Sequence, residues 1–170
     1  MTATKDLIIR DARDLDMGSI QAIYAHHVSH GLASFEEIPP DLAEISCRRD
    51  VAQAHELPYL VAERDGVVQG FAYASPFRTR TAYRYTVEDS VYVARDKHRQ
   101  GVGRTLLAEL MWRCRDLGKR QMVAIIGDSR HDASIRLHEN AGFRHVGTLK
   151  QVGWKLDSWI DSVIMQRSLV

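Results

Sequence analysis

Val91-Tyr92-Val93 has the character of a strand and leads through a polar loop into His98-Arg99-Gln100-Gly101-Val102-Gly103-Arg104, after which leucines recur at helical spacing. A strand running into a glycine-bearing turn and a helix start forms an anion site. Unpaired backbone N–H groups and the positive end of the helix both point at the turn. Glycine lets the backbone approach phosphate oxygens closely, and Arg99 and Arg104 add charge. The dinucleotide-binding fingerprint does not fit, because Leu106 stands where a third glycine or alanine is required and the turn lies late in the chain. A P-loop is excluded by the lack of Gly-Lys-Ser/Thr. The other reading of the same residues is a plain tight turn before a surface helix.

Three further groups carry possible chemistry. Glu88 lies on the strand that leads to this turn, where a buried carboxylate is costly unless it has a partner or a task. A solvated or salt-bridged residue beside Asp89 is the alternative. His138 falls on a helix face, where it either packs or titrates near neutral pH. Arg78, Arg80 and Tyr83 occupy the connection before Glu88. Guanidinium forks suit planar or tetrahedral anions through paired hydrogen bonds, although a solvated basic loop has the same composition.

Positioning these groups requires a particular order of elements. Leu7-Ile8-Ile9 reads as a short strand, and Asp14 or Asp16 as the cap of a helix carrying Ile20, Ile23, Tyr24, His27 and Val28 and closed at Gly31. Pro39-Pro40-Asp41 opens a second helix with Leu42, Ile45, Val51 and Ala52. Residues 59–63 and 67–74 read as strands around an Asp65-Gly66 hairpin, with Pro76 as the stop. A polar connection over residues 77–82 precedes a long strand expected over 83–93. Leu106, Leu107, Leu110, Met111, Cys114 and Leu117 form an amphipathic helix ended by Gly118. A buried strand over 122–126, a short helix over 132–140 closed by Gly142, and strands over 145–152 and 159–166 complete the pattern. This alternation predicts a single α/β domain over residues 1–170, with a mixed central sheet flanked by helices.

The composition narrows the partners. The chain has 170 residues, 45% hydrophobic and 26% charged, with a formal net charge of +1, enough for one domain to bury a core without disulfides or a metal. A near-neutral balance gives no electrostatic reason to expect nucleic acid or an anionic membrane as partner. Cys47 and Cys114 lack metal-ligand spacing, so no metal site is expected. The first ten residues do not read as a signal peptide, and no stretch approaches the roughly 18 apolar residues of a membrane span. A reducing cytoplasmic setting is the expectation.

The wider pattern resembles the GCN5-related N-acetyltransferases. In that superfamily Arg/Gln-x-x-Gly-x-Gly/Ala after a central strand holds the CoA pyrophosphate, and it matches His98-Arg99-Gln100-Gly101-Val102-Gly103. A second motif, Asn-x-x-Ser-x-x-Leu-Tyr-x-x-x-Gly-Phe, matches residues 131–143, from His131 through Ser134 and Leu137-His138 to Gly142-Phe143. Within the superfamily the chain is similar to the phosphinothricin/methionine sulfoximine acetyltransferase group. The residues that carry this are Ser34-Phe35-Glu36, Tyr83, Thr86-Val87-Glu88, Ser90-Val91-Tyr92-Val93, residues 134–139, Gln151-Val152-Gly153, Lys155, Trp159, Asp161 and Met165-Gln166. Two positions depart from the superfamily pattern: His98 replaces Arg or Gln, and His131 replaces Asn.

The resemblance implies acetyl-CoA as co-substrate and a splayed central strand pair that frees backbone groups for the pantetheine arm. Val91, Tyr92, Val93, residues 98–104 and His131 would contact it. Amide formation from a thioester needs a deprotonated amine, a stabilised oxyanion and a protonated leaving thiolate. The resemblance makes Glu88 the base, directly or through water, and the strand N–H groups the oxyanion donors. His138 stands in place of the superfamily tyrosine, to donate to the thiolate or to steady the oxyanion. Phe35, Tyr73, Arg78, Arg80, Tyr83 and Thr86 would form the amino-acid pocket, and relatives suggest a homodimer. Other amines (a protein N-terminus, a polyamine, an aminoglycoside) and a non-catalytic CoA-binding module are the competing expectations.

Overall fold

In the computed structural model, which describes residues 6–170, the strands are β1 (Ile8–Asp11), β2 (Tyr59–Arg64), β3 (Val67–Pro76), β4 (Thr86–Val93), β5 (Gln121–Gly127), β6 (Arg144–Lys155) and β7 (Ser158–Ser168). The helices are α1 (Met17–His30), α2 (Leu42–Ala54), α3 (Val102–Asp116) and α4 (Asp132–Asn140). The part of the N-terminal reading that concerns residues 1–5 lies outside the described residues.

One sheet runs in the order β1-β2-β3-β4-β5-β7-β6. Every neighbouring pair is antiparallel except β4 and β5. That parallel pair exists because α3 carries the chain back across the sheet, as a parallel connection requires. The β4–β5 ladder holds only from residues 86–89 against 121–124. Beyond Asp89 and Ala124 the strands part, while β3 still follows β4 to Val93 and β7 still follows β5 to Gly127. The splayed central pair expected from the resemblance is therefore present.

Two cores cover the two faces. Ile20, Tyr24 and Val28 of α1 and Ile45 and Ala52 of α2 pack on Tyr59, Val61 and Phe71. Leu106, Leu107, Leu110 and Cys114 of α3 pack on Leu60, Ala72, Val87, Met122 and Met165. The three leucines of α3 are fully buried, and burial of one such side chain contributes about 1.5–3 kcal/mol. Asp41 caps α2 by accepting from the Glu44 N–H at 2.8 Å. Gly118 follows α3 at φ +76°, the left-handed backbone expected past a helix end.

Three local readings differ from the structure. Asp16 precedes α1, but its carboxylate accepts from Arg10 and from the Arg13 N–H rather than capping the helix. The strand expected from Tyr83 begins at Thr86. Tyr83 and Arg84 donate back to Arg80 and Thr81 in a short 3-10 turn, which local turn bonds stabilise over extension. The last two strands are longer than expected and join through Leu156-Asp157, both at positive φ.

Candidate active site

The splay opens a cavity of about 140 Å³ lined by β4 residues 89–93, by Ala124 and Ile126 of β5 and by residues from α1 and α4. Val91, Tyr92, Val93, His98, His131 and His138 all line it. At its mouth a larger cavity of about 720 Å³ is lined by Lys97, His98, Arg99, Arg104 and Arg136 with Gly101, Val102 and Gly103. The mouth thus brings together four permanent cations and a helix start, the combination that holds phosphates. Gln100 is the exception among residues 98–104: its side chain bonds Arg64 and the Asp96 carbonyl.

The two glycines of the turn do different work. Gly101 sits at φ +81° before α3, a backbone that L side chains rarely adopt. Gly103 lies within α3, where an added Cβ would meet Leu137 and Val93 at an ordinary 3.5 Å. Packing within the protein does not demand glycine there, so the bare backbone faces the cavity.

His131 precedes α4 and its Nδ1 is buried with no partner among the described residues. A buried polar atom without a partner needs ligand or water, so the departure from asparagine preserves a polar group in the cleft wall. Burial is the main cause that lowers the His131 pKa, opposed by Asp128. His27 of α1 also lines the cleft. Its Nε2–H donates to the Val93 carbonyl at 2.9 Å, and its ring lies 6.2 Å from that of His98. Burial lowers its pKa as well.

Strand alternation decides what β4 presents to each side. Val87 is buried in the α3 core and Asp89 meets α4, so Glu88 faces the α1/α2 side, as do Ser90 and Tyr92. Glu88 pairs across the sheet with Ser75 and Val123. Burial, then the charge of Asp89, raises its pKa, with Arg78 opposing. A carboxylate raised in this way binds a proton more readily than a free one, as a general base requires. His138 is 4% exposed, its Nε2 lies 2.9 Å from Asp89 Oδ2, and its Nδ1 lies 2.8 Å from the Ser134 carbonyl. Burial works against charge on this ring, but Asp89 and the carbonyl outweigh it and raise the pKa.

The expected amino-acid pocket is distributed. Arg78, Arg80, Tyr83 and Thr86 line a separate cavity of about 320 Å³ with Lys119 and His55, at the start of β4. Arg78 stacks over Phe77 at 5.0 Å. Tyr73 stacks on Tyr59 with ring centroids 4.9 Å apart. Phe35, 41% exposed, lies on the loop between α1 and α2 and rests against Gly153. That loop is fixed by a buried network in which Lys155 donates to the Ser34 carbonyl at 2.7 Å and Tyr24 bonds Ser34 and Glu36. Asp89, His27, Lys97 and Arg136 join the site through the fold, and no local spacing in the sequence marks them for it.

A splayed parallel pair in a mixed sheet, with a glycine turn at the start of the following helix, defines the class. The acetyltransferase (GNAT) family model matches residues 20–143, and the chain belongs to that family. It is 54% identical over 161 residues, covering 95% of this chain and 82% of the relative, to the phosphinothricin N-acetyltransferase of Alcaligenes faecalis. It is 39% identical over 163 residues to the L-methionine sulfoximine/L-methionine sulfone acetyltransferase of Salmonella typhimurium, covering 96% and 95% of the two chains. A solved GNAT superfamily phosphinothricin acetyltransferase from Sinorhizobium meliloti, in complex with AcCoA, superposes with a TM-score of 0.93 at 44% identity, covering 96% of this chain and 89% of that chain.

Proposed function

We propose that this protein transfers the acetyl group of acetyl-CoA to the amine of a small anionic amino-acid analogue of the phosphinothricin, methionine sulfoximine or methionine sulfone type. The observation that carries the reading is the β4–β5 cleft, with Glu88 on one face of β4 and the His138–Asp89 pair on the other. The names of the relatives supply the substrate class.

In this reading Val91, Tyr92, Val93 and His131 hold the pantetheine arm, and the turn of residues 98–104 holds the phosphates. Bound acetyl-CoA supplies a thioester carbon open to attack and a thiolate leaving group. Glu88, directly or through water, takes a proton from the substrate ammonium and frees the nitrogen lone pair. Backbone N–H groups of residues 91–93 donate to the carbonyl oxygen as it gains negative charge. His138 gives a proton to sulfur as a C–N bond replaces the C–S bond, and the protons lost by nitrogen leave through Glu88 to water. Arg78 and Arg80 hold the carboxylate or phosphinate of the substrate, and Phe35, Tyr73, Tyr83 and Thr86 complete its pocket.

A cytoplasmic setting is supported by the free Cys47 and Cys114. No helix among the described residues is long and apolar enough to cross a membrane. A homodimer is supported by exposed Val152, Trp154, Leu156 and Trp159 on β6 and β7, and a monomer in sedimentation would exclude it. The reaction is tested by release of CoA thiol from acetyl-CoA with a panel of amines. The panel holds L-phosphinothricin, L-methionine sulfoximine, L-methionine sulfone, common amino acids, spermidine and an aminoglycoside. Turnover confined to the first three is the expected result. Turnover with none, despite calorimetric binding of CoA, would overturn it in favour of another acceptor or a binding module.

A further inference from the structure

The His138–Asp89 pair holds four polar atoms, and three of them are engaged in hydrogen bonds. Nδ1 faces the Ser134 carbonyl, which only accepts, so Nδ1 carries a hydrogen. Nε2 faces the Asp89 carboxylate at 2.9 Å. With an ionised carboxylate, Nε2 also carries a hydrogen and the ring is an imidazolium. The two side chains are 5% and 1% exposed. Removing either charge would strand the other in a low-dielectric wall. The fourth atom, Asp89 Oδ1, is buried and has no partner among the described residues.

We propose that Asp89 is a positioning residue that keeps His138 doubly protonated at the wall of the β4–β5 cleft, so that the ring enters each turnover as an acid. This rests on the proton-donor role proposed above for His138. The raised pKa of His138 brings the ring nearer that of a thiol, ordinarily about 8.5, the match that favours proton transfer. During the step Nε2–H gives up its bond to Asp89 Oδ2, and the proton passes to sulfur as the C–S electron pair becomes a lone pair. Nε2 is left with a lone pair beside the Asp89 carboxylate, while Nδ1–H stays on Ser134. That juxtaposition draws a proton back from water before the next turnover.

The other titratable groups around the pair are few. Glu88 is adjacent on β4 but faces the opposite side. Cys114 of α3 interacts with Asp89, and burial pushes its thiol up to about 12, so it stays neutral. His131 at the start of α4 interacts with His138, and burial disfavours its charged form. On β7, Arg167 lies against Gly142, beyond the C-terminal end of α4. The strand β5 contributes only apolar side chains to the wall, Ala124, Ile125 and Ile126. Asp89 is thus the carboxylate in contact with the ring.

The test is Asp89→Asn, read by the ring nitrogen NMR shifts of His138 and by the pH dependence of kcat. In the native protein both ring nitrogens should be protonated at pH 7, and in the variant the ring should be neutral. The alkaline limb of the kcat profile should move to lower pH by about one unit, a tenfold loss on that limb, with the acetyl-CoA KM little changed. A neutral ring in the native protein overturns the proposal, and this needs no variant to fold. A ring still charged in Asp89→Asn overturns it too. If the ring loses its charge while the profile stays unmoved, the control of charge by Asp89 is upheld and the acid role of His138 is overturned.

Discussion

Glu88 and Asp89 are neighbours on β4, yet their carboxylates serve opposite faces of the sheet. Asp89 meets His138 of α4 at 2.9 Å, and Glu88 stands on the α1/α2 side beside Ser75 of β3. The two-residue period of a strand separates them, so a base and an acid-holding carboxylate flank one splayed backbone without sharing a proton.

The first prediction concerns Glu88. Burial and the charge of Asp89 raise its pKa, and a base works only when deprotonated. The acetylation rate of the native protein should therefore fall as pH drops through that raised value. Glu88→Gln should lose this acidic limb and reduce kcat by about 10²–10⁴, the usual worth of general base catalysis. A rate profile with the native acidic limb intact would remove Glu88 from the role.

The second tests the anion pocket. Replacing Arg78 and Arg80 together by Gln should raise KM about tenfold or more for phosphinothricin, consistent with loss of charge-assisted hydrogen bonds worth about 1.5–3 kcal/mol each. KM for a neutral amine should change little. Both residues are exposed, so the melting temperature should stay within about a degree. Equal effects on charged and neutral amines would sink the carboxylate-clamp role.

Gly103 separates ligand demand from packing demand. A methyl there touches Leu137 and Val93 at an ordinary distance and lies inside α3. Gly103→Ala should keep or raise thermal stability, because alanine is favoured over glycine in a helix by about 0.5–1 kcal/mol. Calorimetric affinity for acetyl-CoA should fall about tenfold, since the bare backbone is what phosphate approaches. Unchanged affinity would show that Gly103 is not part of the cradle.

Gly127 gives the opposite case. A Cβ at the end of β5 would collide with the Leu32 carbonyl, so the loop after α1 closes directly on bare backbone. Gly127→Ala should destabilise the protein by about 1–3 kcal/mol through overpacking. It should also displace the loop that carries Phe35. Denaturant unfolding with an unshifted midpoint would disprove this contact.

Much of this architecture is legible in the residues. The α3 stripe, the Asp65-Gly66 hairpin and the glycine turn after β4 are local signals, and each stands where the spacing puts it. Asp89 was legible only as a neighbour of Glu88, because pairing with His138, 49 positions away, is set by how α4 packs on the sheet. His27 reads as one more member of the apolar face of α1. Its place in the cleft wall arises because α1 lies over the end of β4, where its ring reaches the Val93 carbonyl. Tyr83 has strand propensity, and its turn is fixed by bonds to Arg80 and Thr81 that spacing does not reveal. The Leu156-Asp157 hairpin lacks the Asn-Gly or Asp-Gly signature that such turns favour.

The last prediction follows from linkage. The folded-state pKa of His138 is raised above its ordinary 6.5 by Asp89 and Ser134, against burial. Folding then favours the protonated ring, so its contribution is fully present below about pH 6.5 and is lost as pH rises through the folded-state value. His27 and His131, whose pKa values burial lowers, act with the opposite sign, but they are common to the native protein and to His138→Gln. The stability difference between these two proteins should therefore isolate the ring. Unfolding free energies measured in urea from pH 5.5 to 9 should show the native advantage greatest at the acid end and shrinking steadily above pH 6.5. An advantage that is flat with pH, or that grows as the solution becomes alkaline, would mean that the buried ring is neutral in the folded protein.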